Sequence, residues 1–223
     1  MKTVLKFATI FLALTISALA STIVTIDFTT LPSNTAGGYY VGYSQANITT
    51  ALNQQFSSFD LICDDFVHTT NIPSGPFQYA VSTLPSLTDV RWIGNDKLKN
   101  YEIAAVLLYQ FDQNLGTVDP GGYNFALWHL FNPNSAPNYG DSATLIANAT
   151  NIVNAGGGIT TDAYKQLRVF TPIGNSTSNQ EFVGVSSNTF GGSPVPEPET
   201  LGLIGFALVG LSFLRRNLRT KRS

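Results

Sequence analysis

Two uncharged apolar runs, one near each end of the 223-residue chain, leave only the stretch between them to build a globular fold. The first, "FATIFLALTISALA", follows Lys2 and Lys6 and closes with Ala18 and Ala20 at the −3 and −1 positions of a cut before Ser21. A charged start, a short apolar middle and an A-x-A exit are the three parts of a secretory signal peptide, so residues 1–20 read as one. The second run, Leu201 to Leu214, rises only roughly 20 Å along a helix, against about 30 Å of hydrocarbon in a bilayer. Thr200 and the stems of Arg215 and Arg216 extend it by snorkelling. Behind it stand Arg215, Arg216, Arg219, Lys221 and Arg222, and positive residues stay on the cytoplasmic side. A membrane helix over 201–214 with a cytoplasmic tail at 215–223 therefore holds the preceding domain outside the inner membrane. The N-terminal signal demands the same side.

Residues 191–200 read as a linker. Pro196 and Pro198 keep it extended, because proline fixes φ and disfavours helix at the residue before it; Glu197 and Glu199 make it acidic. Pro196-Glu197-Pro198, an apolar helix containing Gly202, Gly205 and Gly210, and the basic end together resemble the PEP-CTERM sorting signal of Gram-negative bacteria. The resemblance covers roughly the last thirty residues. It implies handling by the membrane transpeptidase exosortase, transient anchoring, and release to the cell surface or matrix alongside exopolysaccharide in a biofilm. A GPI signal competes for the same pattern, but such signals finish on their apolar tail rather than on a basic one.

Without its two ends the chain changes character. The stretch from Ser21 to Val195 keeps five basic residues (Arg91, Lys97, Lys99, Lys165 and Arg168) against twelve acidic ones, a net charge of −7. That sign excludes nucleic acid and anionic lipid as partners of the domain. Its length suits one secreted domain over residues 21–190. The single cysteine, Cys63, permits no internal disulfide, so the hydrophobic core alone must hold the fold.

Patterning divides this domain into β, α and β. "STIVTIDF", "GGYYVGYSQANIT", "FSSFDLICDDF" and "GPFQYAVSTL" each read as a strand, the last bounded by Pro76 and Pro85. In "LKNYEIAAVLLYQFDQ", Leu98, Tyr101, Ala105, Leu108 and Phe111 recur at helical steps. "YNFALWHLF" reads as a helix stopped at Asn132-Pro133. "DSATLIANATNIVNAGGG" reads as another, capped by Asp141 or Ser142 and stopped by glycine. "RVFTPI" and "EFVGVSS" return to strand. The expected class is α+β: a β-rich sandwich or barrel-like domain with two to three packed helices, plus the C-terminal membrane helix.

Chemistry-bearing residues are sparse. Asp60, Asp64 and Asp65 could gather around Ca²⁺, but no D-x-D-x-D-G loop accompanies them, and solvated acids where a strand meets a turn explain them as well. His68 and His129 lack a second histidine at ligand spacing, and they read as edge residues. A Cys63/His129/Asp hydrolase has nothing in the sequence to assemble it, and no G-x-S-x-G elbow is present. The expectation is a non-enzymatic protein with no catalytic residues, no cofactor and no metal site.

One arrangement remains. Cys63, "YEIAAVLLYQ" and "YNFALWHLF" resemble, in that order, elements shared by PEP-CTERM domains and by bacterial surface thioester domains. The resemblance to thioester domains implies a reactive bond between a cysteine and a glutamine two residues before the alanine of an Ala-Ile-Trp motif. Here Cys63 stands at the thiol position, and Asn124, one methylene shorter, stands where glutamine is expected. The same residues also read as packing: Ala104, Ala105 and Ala126 let helices approach, and Trp128 fills the core.

Overall fold

The computed structural model describes residues 22–51 and 53–185. The signal peptide, the linker, the apolar helix and the basic tail expected from the sequence lie outside the described residues. No helix among the described residues is long and apolar enough to cross a membrane.

Six strands close into an antiparallel barrel: β1 (Thr22–Thr30), β4 (Ser44–Thr50), β5 (Gln55–Cys63), β8 (Phe182–Val185), β7 (Leu167–Pro172) and β6 (Ser74–Ser82), in that spatial order. Two short strands, β2 (Asn34–Ala36) and β3 (Tyr39–Val41), form a separate hairpin. Four helices stand between β6 and β7: α1 (Lys97–Gln113), α2 (Pro120–Phe131), α3 (Ser142–Ala155) and α4 (Gly158–Gln166). The sequence leaves sandwich and barrel open; the structure is a barrel.

Alternation along β1 explains its role. Val24, Ile26 and Phe28 are buried, with exposed or half-exposed residues between them, the period-two pattern of a strand with one solvated face. Phe28 meets Phe182 at 4.7 Å between ring centroids, although β1 and β8 are not neighbours in the barrel, so the contact runs through its interior. Tyr79 and the pair Phe59–Phe170 complete an aromatic filling. On β7 and β8 alternation disappears because both faces are covered. Phe170 and Phe182 point inward, while Val169, Val183 and Val185 join Ile62 in a second core beneath the helices. Double burial erases the polar half of the pattern.

Helix α1 departs from the expected single stripe. Ile103 through Leu108 are all buried, whereas Leu98 is exposed. A helix apolar all round is one enclosed on all sides, and α1 touches α2, α3, α4 and the barrel strand β8.

Three further expectations need correction. The segment beginning at Gly37 is not one strand. It breaks between β3 and β4 at Gly42, whose φ of +98° favours glycine. Pro76 lies inside β6 rather than at its border. The glycine run ends α3 as expected, yet a fourth helix starts at Gly158. At nine residues α4 is a short helix that follows the glycine stop directly, and Thr160 and Ala163 are its only buried positions.

Candidate functional site

The barrel end where β5 finishes is where the polar residues converge. Cys63 pairs in register with Phe182 of β8, and its thiol donates to the Asp65 carbonyl at 3.0 Å. Burial, followed by the acids Asp64 and Asp65, pushes the thiol well above its usual range. The group is therefore a protonated donor at neutral pH and a poor resting nucleophile.

Asn124 reaches this point from the second turn of α2. That helix begins cleanly: Asp119 accepts from the Gly121 N–H at 2.8 Å and Pro120 occupies the first turn. The Asn124 side chain is buried and bonded at both ends. Oδ1 accepts from the Gly42 N–H at 2.9 Å, and Nδ2 donates to the Cys63 carbonyl at 3.0 Å. One amide thus ties the β3–β4 junction, the end of β5 and α2 together. The structure brings Asn124 to the backbone of Cys63.

The acids are not solvated. Asp64 and Asp65 are fully buried, and only Asp60 is exposed. Asp65 accepts from the Arg91 guanidinium at 2.8 Å, from the Val67 and His68 N–H groups, and faces the His68 ring nitrogen Nδ1 at 2.8 Å. Arg91 also donates to the Thr177 and Asn179 carbonyls, and its own N–H donates to Glu181 at 2.8 Å. Glu181 further accepts from the hydroxyls of Tyr101 and Thr171. Burial raises the Glu181 carboxyl above its usual range. Asp64 is raised more strongly, by burial and then by Glu181 and Asp65, and neither of its carboxyl oxygens has a hydrogen-bond partner. The clasp commits Asp65 and Glu181 to partners within the protein. No group of three or more His, Cys, Asp or Glu among the described residues is placed to hold a metal.

Neither histidine serves the thiol. His68 is held by Asp65, and His129 on α2 faces the Ala136 carbonyl at 3.4 Å. The Cys63/His129 pair considered from sequence is not assembled.

Above Cys63 and Asn124 opens a cleft of about 230 Å³. The β2–β3 hairpin supplies Tyr39 and Tyr40, the loop after β5 supplies Phe66 and His68, and α2 supplies Trp128. Tyr39 packs edge-on against Phe66 and Trp128, with centroids 5.2 and 5.7 Å apart. Trp128 is 4% exposed. Its indole N–H is buried and turned toward the Cys63 sulfur, where it opposes the rise of the thiol. Sequence reasoning missed Tyr39, Tyr40, Arg91, Gln180 and Glu181. Of these, only the tyrosines carried a signal: they follow the Gly37-Gly38 turn directly.

Residues 194–216 match the PEP-CTERM protein-sorting motif. That span contains Pro196, Glu197, Pro198, Arg215 and Arg216, while Arg219, Lys221 and Arg222 follow it; all lie outside the described residues. No curated protein matches the chain. Among solved structures, the N-terminal thioester domain of a surface protein from Clostridium perfringens is similar at a TM-score of 0.41 and 15% identity, covering 74% of this chain and 98% of that one. The N-terminal domain of the Streptococcus pyogenes pilus tip adhesin Cpa is similar at a TM-score of 0.38 and 10% identity, covering 76% and 96%. What the chain carries, over its last matched segment, is a PEP-CTERM protein-sorting motif.

Proposed function

We propose that this protein is an exported, non-enzymatic cell-surface or matrix protein of a Gram-negative bacterium. In this reading residues 1–20 direct export and residues 21–190 form the passenger. Residues 191–200 present Pro196-Glu197-Pro198 to exosortase. The helix at 201–214 and the tail at 215–223 hold the chain in the inner membrane until it is processed. The single observation that carries the reading is the sorting-motif match at 194–216. The interior chemistry is compatible with it: the thiol is protonated and bonded, and both histidines are engaged elsewhere. Extracellular polysaccharide is the partner this reading names. Fractionation tests it: a chain ending before Pro196 should leave the membrane fraction, whereas the intact chain should be found there before processing. Equal retention of both overturns the reading.

A second reading is favoured by one contact, the 3.0 Å hydrogen bond from the Asn124 amide nitrogen to the Cys63 carbonyl. If the Cys63 sulfur attacked the Asn124 side-chain carbonyl carbon, an S–C bond would form. The C–N bond would break and ammonia would leave, carrying the thiol proton. The domain would then act as a covalent adhesin. Intact mass decides between the two: loss of one ammonia supports the bond, and an unshifted mass with alkylatable Cys63 removes it.

A further inference from the structure

We propose that the cleft between the β2–β3 hairpin and α2 is a binding site for neutral sugar residues of a polysaccharide. The proposal deepens the surface-protein reading and rests on it for the partner's class. Three observations carry it. First, aromatic rings stand at the mouth in a solvent-accessible position: Tyr39 is 43% and Tyr40 57% exposed. Large aromatics left in water on a short hairpin mark a contact surface more often than a core. Tyr39 is held edge-on by Phe66, Phe125 and Trp128, so a ligand stacking on it meets a ring already fixed, at small entropic cost. The apolar C–H face of a pyranose is the ligand surface that such a ring takes.

Second, neutral hydroxyls stand in the wall: Tyr39, Tyr40, Ser44 and Thr69 line the cleft, and such groups both donate and accept, as sugar hydroxyls do. The groups beneath are already engaged within the protein: the Trp128 N–H is buried and turned to the Cys63 sulfur, Asn124 is bonded at both ends, and Gln180 is bonded to Thr70 and Asp65.

Third, the lining discriminates by charge. It includes no Lys, Arg, Asp or Glu; His68 is its one ring able to carry a positive charge, and that ring is held by Asp65. A site without fixed cations has nothing to neutralise uronates, sulfates or phosphates, and the domain's net charge of −7 repels polyanions. The about 230 Å³ of the cleft falls below the ~300–1,000 Å³ of drug-sized pockets. It therefore admits one ring, with adjoining rings running outward over Tyr40.

The test uses the full chain in a detergent with no sugar headgroup. Affinity electrophoresis is run through gels containing dextran, galactomannan, xyloglucan or hydroxyethyl chitin, with alginate as the anionic comparison, and tryptophan emission is followed in parallel. At least one neutral polymer should retard the chain and shift its emission, while alginate should do neither. Tyr40→Ala, at an exposed position that leaves the core intact, should weaken retardation about tenfold, the loss expected for a truncated aromatic anchor. Leu115→Ala, exposed away from the cleft, should change nothing. Retardation by alginate alone, by none of the neutral polymers, or undiminished in Tyr40→Ala overturns the proposal. Because binding is measured in solution, its failure is separable from a failure of export or sorting.

Discussion

Asp64 concentrates the domain's electrostatic strain at a single residue. Its carboxyl is buried beside Glu181 and Asp65 with both oxygens unpartnered, so the folded state keeps a proton that the unfolded chain releases near the ordinary carboxylate range of about 4. Stability is then greatest at and below that range and falls as pH rises toward the folded-state value. Glu181, raised in the same direction, adds to the slope. Thermal unfolding between pH 4 and 8 should show a melting temperature that declines with pH. Asp64→Asn, which removes the ionisation while keeping the shape, should flatten that decline and raise the melting temperature at pH 7 by a few degrees, at about 2–4 °C per kcal/mol for a domain of this size. An unchanged slope in the variant would show that the carboxyl is ionised at no cost. Asn124 makes the opposite case, because its amide is fully used. Asn124→Ala leaves the Gly42 N–H and the Cys63 carbonyl unpaired, a loss of about 1–3 kcal/mol for each group left buried without a partner, readable by urea denaturation.

Among the elements, the connection between β6 and α1 depends on Arg91. Its guanidinium neutralises Asp65 and clamps the Thr177 and Asn179 carbonyls, while its N–H meets Glu181. One side chain thereby joins the end of β5 to the turn before β8. Arg91→Ala leaves a buried carboxylate uncompensated, and breaking a buried pair from one side costs about 3–5 kcal/mol. Denaturant midpoints should therefore fall for Arg91→Ala by an amount comparable to that for Asn124→Ala. Strand β8 contributes a steric constraint instead. A Cβ at Gly184 would lie 2.9 Å from the Asp60 carbonyl oxygen and 2.9 Å from the Phe59 ring. Gly184→Ala should lose about 1–3 kcal/mol through overpacking, and a variant of wild-type stability would mean that β5 and β8 separate more easily than their closed register implies.

For the whole molecule, geography and fold are separate problems. The sorting motif at 194–216 concerns where the chain is held, and the barrel with its helical cap concerns what is displayed. If the membrane reading is right, protease added to spheroplasts should digest the passenger while inside-out vesicles protect it. The reverse pattern would place the domain in the cytosol and remove export, exosortase and polysaccharide together. The acidic surface makes a parallel prediction: the chain should not shift duplex DNA in a gel at physiological salt, because a net charge of −7 offers no counterion release.

Local signals settled most of the elements and little of the site. Alternation in β1, helical spacing around Tyr101, the Asn132-Pro133 stop of α2 and the glycine stop of α3 were all legible, because each depends on neighbours within a turn or two of chain; the start of α2 at Pro120 was not, since Asp119 to Gly122 read as a turn. So was the sorting tail, whose three parts are contiguous. The barrel's closure was not, since β5 meets β8 across more than a hundred residues. Nor was the burial of Asp64 and Asp65, because Arg91, which pairs with Asp65, and Glu181, which crowds Asp64, come from distant segments. The pattern of residues fixes which stretches can be strand or helix; three-dimensional packing decides which polar groups lose their water, because solvation is a property of everything that surrounds a side chain rather than of its place in the chain.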